Sequence, residues 1–417
     1  MSLSALLDRL KRLSRRLGVR VLAMALVALL ATLFAPLLNG FIPEGLKERF
    51  DRQAVEPVLN ILASTMLAVT TFSLGVMVQA FQSASGQATP RAYRILMRDG
   101  TTQTVLATFV GAFLFSLTAF VLFRAGFYGD AAAVVVFGLT ALVILLIIIA
   151  ILRWIGHLSE LGNMDHTLRL CEDAAAMALG THARQPYLGG RKAHGPEPQG
   201  WIALPAPRSG YVVSVAMAAI DDACAESDTE ARLAVRPGDY VLEGAPLLWI
   251  ARPVDSDVLD TAIALGPERE PQQDPRFGLL VLAEIGARAL SPGVNDPGTA
   301  IDVIHRQTAL LWHHALEAEQ PDAPEFERVS CPGIEAEALV ADAVAVLIRD
   351  GRARVEVMER ALKMLDRLAT APEPGIAEAA AGMKSYAEAQ ARDGIALEAD
   401  LKALGLTAEI TRDPDAS

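Results

Sequence analysis

The feature that most constrains this chain is a series of four long runs without charged residues in the first third of the sequence. The runs are 21–43, the segment between Glu56 and Arg91, the segment between Asp99 and Arg124, and the segment between Asp130 and Arg153. Because each residue adds about 1.5 Å to a helix, about 20 apolar residues cross the hydrocarbon core of a bilayer. The sequence therefore predicts four transmembrane helices within 19–155.

Basic residues beside these runs predict the orientation of the helices. The N-terminal segment 1–18 and the loop with Arg91, Arg94 and Arg98 are basic, whereas the basic residues of 47–52 are offset by nearby carboxylates. Lys and Arg are enriched in the cytoplasmic loops of membrane proteins. We therefore predict a multi-pass inner-membrane protein with the lipid bilayer as its partner and with both termini in the cytoplasm.

One side of the second predicted helix is polar. At helical spacing, and with Ala68 between them, this stripe contains Asn60, Ser64, Thr71, Gly75, Gln79 and Gln82. The third predicted helix carries a similar stripe of Thr104, Thr108, Gly111 and Thr118, with Phe115 between. Lipid cannot hydrogen-bond such side chains, so they should face protein or water. Two interpretations stay open: close packing of helices, or a pore lined by the second helix between subunits.

The central parts of the four runs contain no ionisable side chain. Proton relays and many ion-coupled transporters need such groups within the membrane. Their absence argues against a proton-driven pump, but a channel can conduct past hydroxyl and carbonyl groups.

We predict that the rest of the chain forms an α+β region on the cytoplasmic side. We predict a connecting helix and linker over 156–200, with the helix at 157–180 and the linker at 185–200. A small β domain over 201–252, a helical domain over 253–410 and a tail over 411–417 are expected to follow. Strand candidates are 210–213, 234–235 and 240–241, and their turns resemble a barrel-sandwich unit of the biotinyl or lipoyl type. The absence of lysine between 200 and 250 excludes a carrier role for that unit. Helices are expected over 277–290, 297–319, 335–349, 355–368 and 377–403.

The composition and the motifs limit the partners and activities that we expect for this chain. A net charge of -12 makes nucleic acid an unsuitable partner, because phosphate binding needs a basic face. Cys171, Cys224 and Cys331 are isolated, which suits a reducing compartment. We find no Walker loop, HExxH, GxSxG or dinucleotide motif, so we expect no enzyme, no cofactor, no metal site and no catalytic residues.

Two short segments are candidate binding sites. Gln87, Pro90, Arg91 and Arg94 could bind lipid headgroups, or Pro90 could simply begin an interfacial helix with snorkelling arginines. The break at 291–299, with Ser291, Asn295, Asp296 and Thr299, could hold an anion on exposed N–H groups with help from Arg269 or Arg288. The alternative is a turn whose polar groups satisfy its own backbone. Asp302, His305, His313 and His314 share one predicted helix, where a solvated face is a commoner explanation than a metal site.

Several of these motifs resemble a known family. The segments 71–73, 87–91, 109–111, 273–275 and 289–297, together with Asp99, Gln103, Phe113, Gly266 and Arg269, are similar to the predicted membrane proteins of domain of unknown function 2254. The likeness covers roughly 19–368, and it adds Asp274 to the candidate ligand or turn residues. Thr89, Phe115 and His157 depart from the usual pattern. The resemblance implies a membrane-spanning architecture and brings no activity with it.

Three hypotheses for function follow. The first is a homo-oligomeric, channel-like protein that is regulated or assembled by its cytoplasmic domain, with an unknown ion or small-molecule ligand. The second is a membrane-anchored scaffold or ligand sensor without transport. The third is a membrane-bound enzyme that uses the turn from Ser291 to Thr299.

Overall fold

The computed structural model describes residues 52–87, 89–96, 100–126, 130–158, 163–254 and 256–406, together with the helical Leu26 and Leu30. The chain divides into two units. The membrane unit comprises the described residues of Leu6–Gln87 and Tyr93–His166. The α/β unit comprises those of Ala88–Ala92 and Thr167–Ser417. The predicted first helix over 21–43, the segment 1–18 and the tail over 411–417 lie outside the described residues, apart from Leu26 and Leu30.

The membrane unit is helical. Its elements are α1 (Arg52–Gln87), α3 (Gly100–Arg124) and α4 (Asp130–Leu158). Helix α2 (Pro90–Leu96) begins in the α/β unit and ends in this one, and α5 (Met164–Arg184) begins here and continues into the α/β unit. Among the described residues, three stretches are long and apolar enough to cross a membrane, namely Val55–Ala80, Gly100–Arg124 and Ala133–Leu158. They coincide with the second, third and fourth predicted spans, which are thereby confirmed as candidate membrane helices.

Helix α3 lies between α1 and α4 and contacts both. Phe115, Ala119 and Phe123 of α3 pack with Val55 and Leu59 of α1 and with the start of α4. The end of α3 meets the start of α1, because Arg124 pairs with Glu56 at 2.5 Å. These two charges flank the apolar stretches, where an ion pair can stay in contact with water or headgroups.

The α/β unit contains two sheets. Its strands are β1 (Gly190–Lys192), β2 (Ile202–Pro205), β3 (Gly210–Val215), β4 (Ala231–Leu233), β5 (Tyr240–Val241), β6 (Pro246–Ile250), β7 (Ile263–Gly266) and β8 (Phe326–Cys331). One sheet has the order β1-β8-β4-β6-β2, with β8 parallel to both of its neighbours. The other has the antiparallel order β5-β3-β7. Helices α6 (Met217–Glu226) and α7 (Ser256–Ala262) accompany the sheets, and α6 contributes Met217 and Ile220 to their shared core.

This topology differs from the expected barrel-sandwich unit. The strands come from a wider part of the chain than 201–252, since β1, β7 and β8 complete the two sheets. The segment 185–200, expected to be a linker, contains β1. The second strand candidate was misplaced, because β4 ends at Leu233. Local patterns cannot reveal a pairing such as β1 with β8, whose partners are far apart in sequence.

The remaining helices pack as a bundle. They are α8 (Pro275–Ala289), α9 (Pro297–Glu317), α10 (Ala336–Gly351), α11 (Val355–Leu368), α12 (Pro374–Gly394) and α13 (Glu398–Ala403). Helix α10 contacts α8 and α12, while α11 contacts α9 and α12. Four helices match the expected segments closely, but the predicted helix over 377–403 is two helices separated at Ile395, Ala396 and Leu397. The expected helix from 157 to 180 is also divided, since α4 ends at Leu158 and α5 begins at Met164.

Candidate functional site

The first candidate surface is the polar side of α1. Val55, Leu59, Ala63, Met66 and Met77 on one side of α1 are buried within the chain. Helical geometry places the predicted polar stripe on the opposite side. All six of its residues are exposed: Asn60, Ser64, Thr71, Gly75, Gln79 and Gln82. The chain therefore buries one apolar side of α1 in its own packing. Among the described residues it leaves the polar stripe uncovered, together with apolar side chains beside it such as Ile61, Leu67 and Phe72.

The hydroxyl groups of this polar side are satisfied by the helix itself. Ser64 Oγ donates to the carbonyl of Asn60 at 3.0 Å, and Thr71 Oγ1 donates to the carbonyl of Leu67 at 3.0 Å. Such bonds to the preceding turn allow Ser and Thr to face an apolar medium. The primary amides of Asn60, Gln79 and Gln82 have four hydrogen-bonding sites each, and they extend from the exposed side of the helix. The amides are therefore the groups that demand protein or water around them.

The stripe of α3 has a different environment. Gly111 and Phe115 are buried in the membrane unit, and Thr108 Oγ1 donates to the carbonyl of Thr104 at 2.9 Å. Near the start of α3, Thr102 Oγ1 lies 2.9 Å from His157 Nε2. The rings of His157 and His166 meet edge to face, with centroids 5.7 Å apart. The α3 stripe thus fits the helix-packing interpretation, in contrast to the polar side of α1.

The second candidate site follows directly after α1. Thr89 is 7% exposed, and its Oγ1 accepts a hydrogen bond from the N–H of Ala92 at 3.2 Å, which caps α2. Pro90 occupies the first helical position, where its missing N–H carries no cost. Arg91 then forms an ion pair with Glu284 of α8 within the α/β unit. Of the other predicted interfacial residues, Arg94 belongs to the membrane unit, and only the backbone of Gln87 is described.

Glu284, which lies within the mostly apolar helix α8, was not predicted to be a site residue. Burial raises the pKa of its carboxyl above the usual value, while the positive charges of Arg91 and Arg269 act in the opposite direction. Its side chain is 27% exposed and that of Arg91 is 46% exposed. A pair with this exposure contributes at most about 1 kcal/mol. We infer that its value lies in fixing the position of the 89–92 segment on α8.

Arg269 and Asp274, both predicted from the family resemblance, form a buried pair with each other. Arg269 Nε donates to Asp274 Oδ2 at 2.7 Å, and Nη2 donates to Oδ1 at 2.9 Å. Asp274 also accepts from the N–H of Phe277 and so caps α8. Burial raises the pKa of Asp274, and the hydrogen bonds from Arg269 oppose this. Gly238, at φ +99°, leaves room for the carboxylate, since a Cβ there would lie 2.4 Å from Asp274 Oδ2.

The turn from Ser291 to Thr299 is closed on itself. The N–H groups of Val294 and Asn295 donate to the carbonyl of Ser291, and the N–H of Asp296 donates to Ala289. Asp296 accepts from the N–H of Thr299 at 3.1 Å and from its hydroxyl at 2.5 Å, which lowers the pKa of the carboxyl. The amides that an anion would need are therefore already engaged, so the geometry favours a structural turn.

The residue that directly precedes α11 holds this turn in place. Arg354 Nη2 donates to Asn295 Oδ1 at 2.7 Å and to the carbonyl of Leu290 at 3.3 Å. Asn295 itself lies in the left-handed region at φ +54°, a conformation that asparagine tolerates better than most residues. The guanidinium of Arg269, which was expected to assist an anion here, is instead paired with Asp274.

The histidines of α9 do not gather around a common point. His305 and His313 are exposed, and Asp302 accepts from Arg306 Nε at 2.9 Å. His314 is buried and stacks on His182 of α5, with ring centroids 5.3 Å apart. Desolvation, followed by the positive charge of Arg236, lowers the pKa of His182 to about 3. No sequence pattern indicates this pair, because its members are far apart in the chain.

Three apolar helices followed by a mixed α/β unit define this molecule as a membrane protein of the α-helical class. The chain belongs to the family described as predicted membrane protein (DUF2254), whose model matches residues 14–367. It is similar to the uncharacterized proteins Mb1321c of Mycobacterium bovis and Rv1290c of Mycobacterium tuberculosis H37Rv. Each is 31% identical over 268 residues, which is 61% of this chain and 51% of the relative. The chain thus spans about half the length of these curated relatives. No solved structure matches it.

Proposed function

We propose that this chain forms a homo-oligomeric, channel-like pathway in the inner membrane, regulated or assembled through its α/β unit. The observation that carries the proposal is the exposed polar side of α1, which lies opposite the side that packs within the chain. Asn60 and Gln82 mark the two ends of this surface, and Thr71 and Gly75 lie between them. Gln82 follows the end of the apolar stretch Val55–Ala80.

The physical argument concerns solvation. Lipid offers no hydrogen bonds, so each amide of Asn60, Gln79 and Gln82 that faces hydrocarbon would lose several kcal/mol of solvation. A ring of copies related by rotational symmetry would turn the same side of every α1 towards a common axis. Amides and hydroxyls around such an axis could contact water and passing ions.

A second feature supports regulation by the α/β unit. Arg91 follows the last residue of α1 by four positions, and it is paired with Glu284 of α8. Because Thr89 caps α2, this helix begins at Pro90, and only a few residues separate the end of α1 from Arg91. A change in the position of α8 would therefore act on the chain directly after α1, through one ion pair and one helical turn.

Ion flux from liposomes that contain the purified full chain tests the proposal. We expect the wild type to conduct and the double variant Asn60→Leu/Thr71→Leu to conduct several-fold less, because it removes an amide and a hydroxyl from the polar side. The control is Phe72→Leu, whose side chain is 68% exposed at the edge of the same surface, about 100° around the helix from Thr71. It should conduct as the wild type does.

Two results would count against the channel. Liposomes containing intact oligomers that pass no ions at any voltage or membrane tension would contradict it. Equal flux through the wild type and the double variant would show that α1 does not line the pathway. If the double variant instead loses its oligomeric state, as measured by light scattering in detergent, the polar side is a packing surface.

The second candidate function is a membrane-anchored scaffold or ligand sensor without transport. It is favoured by the position of the 89–92 segment on α8 within the α/β unit, since such a contact can respond to a ligand whether or not ions flow. An enzyme that uses the turn from Ser291 to Thr299 has weaker support, since the N–H groups of that turn are engaged within it. Flux in liposomes separates the channel from the other two.

A further inference from the structure

A cavity of about 360 Å³ opens between α9 and α11 in the α/β unit. His305, Thr308 and Trp312 line it from α9, and Arg360, Lys363, Met364 and Arg367 line it from α11. These residues follow one another at helical spacing, so each helix turns one continuous side towards the cavity. Its volume lies at the lower end of the usual range for small-molecule sites, which is about 300–1,000 Å³.

The walls combine apolar area with positive charge. Met364 is buried beneath the opening, and the guanidinium of Arg367 stacks over the ring of Trp312 at 4.7 Å. Thr308 uses its hydroxyl on the carbonyl of Ile304, so it presents little polarity to the cavity. The residues that line the cavity, all within the described part of the chain, include no carboxylate. An apolar body can therefore lie against Trp312 and Met364, with cations at the rim.

The charge at the rim favours a doubly charged anion. Arg360, Lys363 and Arg367 are positive, and Glu359 pairs with Lys363 at 2.6 Å. This leaves an excess of two positive charges. Of the other two carboxylates of α11, Asp366 is already paired with Lys384 of α12 at 2.6 Å, and Glu356 lies one turn before Arg360 and outside the lining of the cavity. Such a basic opening is unusual on a chain with a net charge of -12.

We propose that this cavity binds a phosphate monoester carried on a small apolar or aromatic body. A phosphate monoester has a charge of about −1.5 to −2 at neutral pH, which matches the excess at the rim. Guanidinium groups donate to phosphate oxygens in a planar fork, and Arg360 and Arg367 supply two such groups. The organic body stacks on Trp312. The site is independent of the proposed channel, because it requires only the α/β unit to be folded.

Binding of phenyl phosphate to the full chain in an uncharged detergent, measured by calorimetry, tests the proposal. We expect one saturable site per chain that weakens as salt is added, since the cations are partly exposed. Arg360→Gln/Arg367→Gln should weaken binding at least ten-fold. The matched control is Arg349→Gln, which removes an exposed arginine paired with Asp350 on α10 and should bind as the wild type does.

Ligands that contain only part of phenyl phosphate test which group each residue binds. Benzoate, with the same ring and one charge, should bind several-fold more weakly than phenyl phosphate. Trp312→Leu should weaken phenyl phosphate while leaving inorganic phosphate unchanged. Competition by short-chain phosphatidic acid would identify a lipid headgroup as the source of the phosphate, and its failure to compete would indicate a free metabolite.

Three outcomes would overturn the proposal. They are no saturable binding of phenyl phosphate or phosphatidic acid to the wild type, unchanged affinity in the double arginine variant, and equal affinity for benzoate and phenyl phosphate. Circular dichroism of each variant confirms that its helices are intact, and both arginines lie at the surface of α11. A loss of binding in a folded variant therefore reports on the site.

Discussion

At the scale of single residues, the α/β unit contains several polar side chains that depend on a few exact partners. Arg236 is 6% exposed and donates to the carbonyls of Pro186 and Pro332. His182 stacks on His314, and neither ring nitrogen of His182 has a hydrogen-bond partner among the described residues. A buried histidine beside an arginine resists protonation, because a second positive charge would be poorly solvated there.

This arrangement predicts a loss of stability in mild acid. The folded-state pKa of His182 is about 3, below the usual 6.5, so the unfolded chain takes up a proton first as the pH falls. The contribution of His182 to the free energy of unfolding is fully present above pH 6.5 and is lost as the pH falls towards 3. Between pH 7 and 5.5 this histidine should cost the fold about 1 kcal/mol. Thermal unfolding of the detergent-solubilised chain at several pH values measures the effect.

A variant isolates the contribution of His182. His182→Phe keeps a ring against His314 and cannot be protonated, so its stability should fall less between pH 7 and 5.5, by about 1 kcal/mol. His313→Phe at an exposed position of the neighbouring helix is the control and should retain the wild-type pH dependence. An identical pH dependence in His182→Phe and the wild type would contradict the assignment.

At the scale of helices and strands, packing decides which residues are tolerated. Gly278 of α8 lies directly against Ala175 of α5, where a Cβ added to the glycine would be 2.5 Å from the Cβ of alanine. Gly382 of α12 has no atom within 4 Å of the corresponding position. Both glycines lie inside helices, so alanine would be favoured by helix propensity at either position.

The two glycines should therefore respond in opposite ways to alanine. Gly278→Ala forces α8 and α5 apart and should destabilise the fold by about 1–3 kcal/mol. Gly382→Ala should leave stability unchanged or raise it by up to ~1 kcal/mol. The temperature of unfolding, measured for both variants beside the wild type, provides the comparison. Stabilisation by Gly278→Ala would mean that the close approach of α5 and α8 is absent.

The sequence predicted the helices better than the sheets, for a physical reason. Helix α11 was expected over 355–368, and those are its observed ends, because Val357, Ala361 and Leu365 repeat with the helical period. The strands of the larger sheet pair across long separations, so a local pattern carries little information about their order. The break after Gly394 escaped detection because alanine-rich sequence continues on both sides of it.

The candidate sites likewise include features that the sequence predicts and contacts that only the structure reveals. The polar side of α1 follows from spacing alone, since residues at helical intervals share a side of the helix. The pair of Arg91 and Glu284 joins residues that are 193 positions apart, and no single-sequence pattern connects them. Motif resemblance identified Arg269 and Asp274 as notable residues, but only the structure reveals that they bind each other.

At the scale of the whole molecule, the pair of Arg91 and Glu284 fixes the segment that follows α1 in the sequence at its place within the α/β unit. Reversing either charge alone should destabilise the chain by about 1 kcal/mol, because two like charges then meet. The double variant Arg91→Glu/Glu284→Arg should recover most of this loss. A thermal-unfolding double-mutant cycle measures the coupling between the two positions.

A more exposed pair serves as the control for this cycle. Arg252 and Asp228 are 66% and 94% exposed, so their coupling should be close to zero. Failure of the double variant at positions 91 and 284 to recover any stability would contradict a direct ion pair between α8 and the segment after α1.

The central claim is that the polar side of α1 faces water within an assembly of copies. The most direct measurement introduces one cysteine at a time into α1 and follows its reaction with a charged, membrane-impermeant thiol reagent in liposomes. The native Cys171, Cys224 and Cys331 are buried, so they provide a low background. We predict rapid modification of Thr71→Cys and Gly75→Cys and slow modification of Phe72→Cys, which lies at the edge of the polar stripe, about 100° around the helix from Thr71. Equally slow modification of all three would place this side of α1 in lipid or packed protein and contradict the account.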